Sequence, residues 1–204
     1  MQKRKKIKYG LIGILFIVIG IIIGIIPIFL KSKEQSEMNA QIDSFLESSK
    51  SSPSQTADVV LSPSIEEEEP FLMVLEIPKV NLRRGIYSKD SKWNSIEYNV
   101  TILEESNFPD EEYGNVILAA HNGPADIAYF NQLHQLEVGD MAYVYYNGIK
   151  YGYEVSDIYD VAKDGTVEIS RNQNLNTLTL ITCKKNTSDR QLVIILYLTE
   201  TVRY

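Results

Sequence analysis

Hydrophobic and polar positions divide the chain into three stretches of different rhythm. Residues 9–30 carry no charge and are dominated by Ile, Leu, Val, Phe and Gly. As a helix these 22 residues extend roughly 33 Å at about 1.5 Å per residue, enough to cross a hydrocarbon core of about 30 Å. Residues 31–69 lose that pattern, with Ser, Gln and Glu predominating, Pro53 and Pro63 interrupting, and Glu66-Glu67-Glu68-Glu69 at the end. The composition predicts a flexible solvated stalk. Within it Met38, Ile42, Phe45 and Leu46 have the spacing of a short amphipathic helix over 38–47. From Pro70 to the end, short apolar runs rich in Val, Ile, Thr and Tyr alternate with turn residues, which is the rhythm of strands.

The predicted strands are 72–77, 115–121, 141–146, 149–161, 176–183 and 191–199. Asn147-Gly148 between two Tyr-rich runs predicts a hairpin, because both residues tolerate the positive φ angles of a type I′ turn. Lys163-Asp164-Gly165 marks another turn, and apolar spacing lengthens enough for short helices around 91–96 and 126–133. The sum is a mainly β domain of seven or eight strands over residues 70–204. Without long crossover helices, a closed antiparallel barrel or a sandwich accommodates it.

Charge gives the chain a direction. Lys3, Arg4, Lys5, Lys6 and Lys8 precede the apolar run and no acid accompanies them, so residues 1–8 form a basic cytoplasmic terminus and everything after residue 30 lies outside. A cleaved signal peptide is the competing reading. The run exceeds the 7 to 15 residues of a signal core, and its exit, Pro27-Ile28-Phe29-Leu30-Lys31, has no small-x-small cleavage pattern. The expectation is a single-pass cell-membrane protein, anchored through 9–30. Residues 31–204 hold 15 basic and 27 acidic side chains, a balance that excludes nucleic acid as a partner of the main body. The whole chain, 204 residues with 44% apolar and 23% charged, has ordinary globular composition and room for one domain with accessories.

The single cysteine, Cys183, lies beyond the apolar run, so no disulfide can form within the chain. An unpaired cysteine in an oxidising compartment is either a buried small hydrophobe or a thiol kept for its reactivity. Cys183 closes the run Thr177-Leu178-Thr179-Leu180-Ile181-Thr182-Cys183 and is followed by a polar loop holding Lys184, Lys185 and Arg190. A thiol attacks as thiolate and needs positive charge or a base nearby. His121 ends the run Val116-Ile117-Leu118-Ala119-Ala120 and is followed by Asn122-Gly123-Pro124, so it too stands where a strand enters a loop. It is either such a base or a strand-end histidine bonded to its turn. His134, in Gln132-Leu133-His134-Gln135, reads as a solvated position. Arg190 is an exposed strand-end charge unless it faces Cys183, where a guanidinium could stabilise an oxyanion. One cysteine and two histidines make no closed zinc site. The acids at 66–69 and 104–112 could bind calcium but lack EF-hand spacing, and read as solvated faces. No cofactor is expected.

Thr179-Leu180-Ile181-Thr182-Cys183 resembles the TLxTC signature of sortases, the membrane-anchored transpeptidases of Gram-positive surfaces. His121 in Leu118-Ala119-Ala120-His121-Asn122-Gly123 is similar to that family's strand-end histidine, and Arg190 to its arginine. Leu75-Glu76-Ile77-Pro78 resembles its first strand, and the N-terminal anchor its usual topology. The resemblance covers residues 70–204 and implies an eight-stranded β-barrel. It implies Cys183 as nucleophile on the Thr-Gly bond of an LPXTG-like sorting signal, with a thioacyl intermediate. His121 would act as acid and base, Arg190 would hold substrate and oxyanion, and Thr182 would contact substrate. The acceptor would be a peptidoglycan-precursor or pilin amine. No aspartate-aromatic lid precedes Phe71 and 161–176 has no room for a long helix. The missing helix departs from what a resemblance to class B would imply, and the missing lid favours a housekeeping-like or class D-like enzyme over a pilin-building one.

Other cysteine enzymes acting on peptidoglycan place cysteine before histidine or carry a His-Gly-Cys neighbourhood, whereas here His121 comes first and Thr182 precedes Cys183. A noncatalytic anchored β-domain that binds wall polymer or a partner protein is the reading from a different class. It requires Cys183 to be inert and His121 and Arg190 to lie apart.

Overall fold

The computed structural model describes residues 2–50 and 69–204, with the side chains of 2–15, 18, 22, 27, 28 and 31 outside that set. The first element, α1 (Gln2–Lys50), contributes to two compact units, one ending at Gln41 and the other running from Ile42 to Tyr204. Among the described residues, nine large apolar side chains between Phe16 and Leu30 are exposed on α1. Among the described residues no helix is long and apolar enough to cross a membrane. The span expected at 9–30 includes side chains outside that set. The stalk expected at 31–69 is helical as far as Lys50, beyond the short helix anticipated over 38–47. No Pro or Gly falls between Pro27 and Pro53, and Lys33–Glu37 and Gln35–Asn39 pair one turn apart. Residues 51–68 lie outside the described residues.

The second unit begins upstream of the Pro70 boundary that composition indicates. Ile42 is fully buried, Phe45 meets the Phe71 ring edge to face at 6.1 Å, and Asp43 pairs with Arg83 at 2.8 Å. Gly85 lets Phe71 in: a Cβ there would lie 2.5 Å from that ring.

Among the described residues eight strands follow: β1 (Met73–Ile77), β2 (Leu82–Ile86), β3 (Thr101–Ile102), β4 (Asn115–Ala119), β5 (Met141–Tyr146), β6 (Ile149–Ala162), β7 (Thr177–Cys183) and β8 (Arg190–Arg203). They form one sheet in the order β2-β1-β5-β6-β8-β7-β4-β3. Asn147 and Gly148 both take positive φ, 50° and 73°, and join β5 to β6 as expected. No ladder joins the edge strands β2 and β3, so the barrel is nearly closed, and side chains of the loop between them bond to both edges. Asn99 donates to Gly85 O at 2.7 Å and accepts from Arg84 Nε, while Asn94 Oδ1 accepts from Ile102 N and Thr101 Oγ1.

Three features depart from the sequence-based picture. β2 and the two-residue β3 lie outside the expected strands, β2 because Arg83 and Arg84 interrupt its pattern, yet Arg84 is buried with its guanidinium 3.9 Å from the Tyr129 ring centre. The segments 91–96 and 126–132 are turns and irregular backbone, with short 3₁₀ helices at Pro78–Val80 and Leu133–Gln135 instead. Ser91 and Asn94 spend their side chains on backbone groups, which competes with helix. The sheet also has a parallel pair, β4 with β7, amid antiparallel neighbours.

The core takes Val116, Leu118 and Ala120, Leu178 and Leu180, and Leu192, Ile194 and Leu196 from neighbouring strands. The alternate positions Ile117, Thr179, Ile181, Val193 and Ile195 are buried too, on the sheet's other face. These strands are therefore covered on both faces, which is why they read as unbroken apolar runs.

Candidate active site

A parallel pair brings two strand ends of the same polarity side by side. The β4–β7 register runs from Asn115 opposite Thr177 to Ala119 opposite Ile181. Continued by two residues, it sets His121 opposite Cys183 on one face. Three hydrogen bonds stitch the extension. Ala120 N donates to Ile181 O at 3.3 Å, Thr182 Oγ1 to Ala120 O at 2.8 Å, and Asn122 Nδ2 to Cys183 O at 2.7 Å. His121 O accepts from Phe130 N, and the Phe130 ring is wholly buried, so the histidine backbone is tied to the core.

Cys183 is half-buried, with the Lys163 ammonium 3.5 Å from its sulfur. The His121 side chain is 35% exposed and its Nε2 lies 3.8 Å from a carboxylate oxygen of Glu97, at ion-pair rather than hydrogen-bond distance. Glu97 sits in the turn before β3 and has no counterpart in the sequence-based site.

Arg190 and Thr182 occupy different surroundings. On the antiparallel β7–β8 ladder the residue opposite Cys183 is Gln191, and Lys184 N donates to Arg190 O one step further on. Alternation therefore turns Arg190 to the face of Leu192. There its Nη2 donates to Asp160 O at 3.1 Å and lies 3.7 Å from the Asp160 carboxylate, which Lys184 also contacts. The structure thus brings His121 and Cys183 together and places the Arg190 guanidinium on Asp160 of β6. Thr182 is 3% exposed, its hydroxyl committed to Ala120 O.

Beside Cys183 opens a cavity of about 620 Å³, walled by the loop after β7 and by residues between 122 and 135. Asn122, Asn131, Gln132 and Gln135 give it an amide-rich lining suited to an extended peptide backbone. His134 lines it as well and is exposed, in keeping with a solvated position, with its Nδ1 2.9 Å from Asn131 O and its Nε2 3.4 Å from Lys185 Nζ. Among the described residues no cluster of three or more His, Cys, Asp or Glu could hold a metal ion.

Lys163, Asp160, Glu97 and Asn122 are the site residues that motif reading missed. The first two become neighbours of the loop only through the β6–β8 ladder, which aligns Val161 with Gln191 and Ala162 with Arg190. Asn122 follows His121 directly and carried the one available signal.

The Sortase domain family model matches residues 75–198. Sortase A of Bacillus anthracis is 29% identical over 121 residues, covering 58% of this chain and 56% of that protein, little more than half its length. Among solved structures, a lid mutant of sortase A from Corynebacterium diphtheriae aligns with a TM-score of 0.58 and 23% identity, over 66% of this chain and 73% of that one. A sortase D5 transpeptidase from Clostridium perfringens aligns at 0.54 and 23%, over 64% and 80%. Sortase C1 from Streptococcus agalactiae aligns at 0.57 and 24%, over 67% and 71%. At these identities the structural likeness is one of fold.

Proposed function

This chain belongs to the sortase family, and we propose that it is a membrane-anchored cysteine transpeptidase acting on LPXTG-like sorting signals. The observation that carries the reading is the β4–β7 register, which sets His121 beside Cys183 at two parallel strand ends, next to an amide-lined cavity.

In the reaction the Cys183 thiolate attacks the carbonyl carbon of the signal's Thr-Gly bond. An S–C bond forms and the carbonyl electron pair moves to oxygen. When that pair returns, the C–N bond breaks, and His121 gives its proton to the departing amine. The acyl group now rests on Cys183 as a thioester. An incoming amine attacks the same carbon and its proton passes to His121. The thiolate leaves, and a new amide joins the surface protein to its acceptor. Proton and electron pairs return to where they began, so the cycle needs no redox partner. Arg190 is the residue the family resemblance assigns to substrate and oxyanion, and to act there its guanidinium must exchange Asp160 for the substrate. The acceptor is a peptidoglycan-precursor or pilin amine, with a housekeeping-like or class D-like role preferred over pilus assembly.

The anchor is residues 9–30, with the N-terminus cytoplasmic and the barrel outside. Its support is the charge-free run, the basic cluster before it and the exposed apolar side chains from Phe16 to Leu30.

The test is transpeptidation by the full chain in detergent micelles, with LPXTG-type peptides and a small primary amine, read by mass spectrometry. The expected product is the peptide cut after Thr and joined to the amine by the wild type, and by neither Cys183→Ala nor His121→Ala. No product across a varied peptide panel, together with a Cys183 that resists a small thiol reagent in the folded chain, would replace the enzyme with the anchored binding domain.

A further inference from the structure

Three cations come near Cys183 in sequence, Lys184, Lys185 and Arg190; the structure holds Lys184 and Arg190 on Asp160 and sets Lys185 beside His134. The cation that touches the sulfur comes from elsewhere. Lys163 follows β6 immediately, and its backbone N–H donates to Asp189 O at 2.8 Å, which prolongs the β6–β8 ladder past its last pair. That ladder aligns Val161 with Gln191, and the β7–β8 ladder aligns Gln191 with Cys183. One row therefore crosses the strands from Val161 through Gln191 and Cys183 to His121. Lys163, two residues beyond Val161, projects from the same face, whereas Arg190 belongs to the alternate positions. Its ammonium reaches 3.5 Å from the sulfur, and among the described residues no carboxylate pairs with it.

We propose that Lys163 is a further catalytic residue, whose ammonium stabilises the Cys183 thiolate before attack and again when the thiolate leaves the thioester. This rests on the transpeptidase reading only in calling the thiol a nucleophile. The other charged groups around the thiol are engaged. His121 faces Glu97, Lys185 faces His134 across the cavity, and Asp160 is taken by Lys184 and Arg190. Asp189 contributes its backbone carbonyl to Lys163. Among the described residues Lys163 thus supplies the positive charge in contact with the reacting atom. It is exposed, so its effect is discounted for solvent screening.

The experiment is the pH dependence of Cys183 alkylation by iodoacetamide, on the full chain in detergent, for wild type, Lys163→Gln, Lys163→Arg and Cys183→Ala. Lys163→Gln is expected to slow alkylation at pH 7 roughly twofold to fivefold and to move the rate profile to higher pH. Lys163→Arg keeps the charge and restores most of the rate, and Cys183→Ala gives none. With sorting peptide, Lys163→Gln lowers kcat and leaves KM within about twofold. A Lys163→Gln profile that superimposes on wild type overturns the inference, as does failure of the arginine to rescue. Because iodoacetamide needs no peptide, the two claims fail separately. A shifted profile without peptide turnover retains the lysine effect and removes the transpeptidase, and turnover with an unshifted profile does the reverse.

Discussion

Thr182 separates two physical roles that the sequence motif leaves together, and its substitution by valine is the sharpest test of the strand-end geometry. The side chain is 3% exposed and its Oγ1 donates to Ala120 O at 2.8 Å, across from the backbone bond Ala120 N to Ile181 O. Valine keeps the branched shape but replaces the hydroxyl by a methyl, which leaves the Ala120 carbonyl without that donor. A buried acceptor stripped of its partner costs about 1 to 3 kcal/mol. Taking about 2 kcal/mol, and about 2 to 4 °C per kcal/mol for a cooperative unit of this size, Ile42–Tyr204 should melt roughly 4 to 8 °C lower. Thr182→Ser retains the oxygen and should lose less than half of that. Ala120 immediately precedes His121, so a loosened bond there also frees the histidine, and kcat should fall more than KM rises. The assay is thermal unfolding by circular dichroism for the three proteins, paired with steady-state turnover. Equal melting of valine and wild type would refute the hydrogen-bond argument. A rise in KM alone, with unchanged melting, would show instead that the hydroxyl meets substrate.

Asp140 accepts from Lys79 at 2.8 Å and from Glu137 N at 2.6 Å; burial opposes its ionisation, but these donors hold its carboxyl below the ordinary value. Its contribution to stability is therefore present above about pH 4 and fades as pH falls through the lower folded value, so wild type and Asp140→Asn should converge in urea midpoint toward pH 2. Equal gaps at pH 7 and pH 2 would contradict this. Glu97→Gln should change kcat/KM less than about threefold, because Glu97 is 68% exposed and 3.8 Å from His121, and a larger loss in turnover assays would make it a positioning residue. Gly85→Ala should lower the melting temperature, since its methyl would strike the Phe71 ring that receives Phe45, and an unchanged melt would show that the ring moves aside freely.

Local signals carried much of this molecule. The β5–β6 hairpin followed from Asn147-Gly148, and His121 and Cys183 were visible as polar residues ending apolar strands, because both facts depend on neighbours in sequence. Pairing across the sheet was not visible. β6 is 14 residues long with register irregularities at Gly152/Tyr153 and Val155/Asp157, so simple alternation cannot be carried from its hairpin to Lys163. The same ladder decides that Gln191, not Arg190, lies opposite Cys183. β2 escaped because its two arginines find partners far away in sequence, Asp43 for Arg83 and Asn99 for Arg84. The start of the barrel unit escaped for a similar reason, since Ile42 and Phe45 belong to it across a long polar stretch.

The central claim is that Cys183 carries the acyl group between donor and acceptor. Its most direct measurement is the intact mass of the full chain after brief exposure to an LPXTG-type peptide without added amine, followed by peptide mapping. The account predicts an added mass equal to the peptide's acyl portion, located on Cys183 and discharged by hydroxylamine. An acyl mass found on another residue, or none while the peptide is nonetheless cleaved, would contradict it.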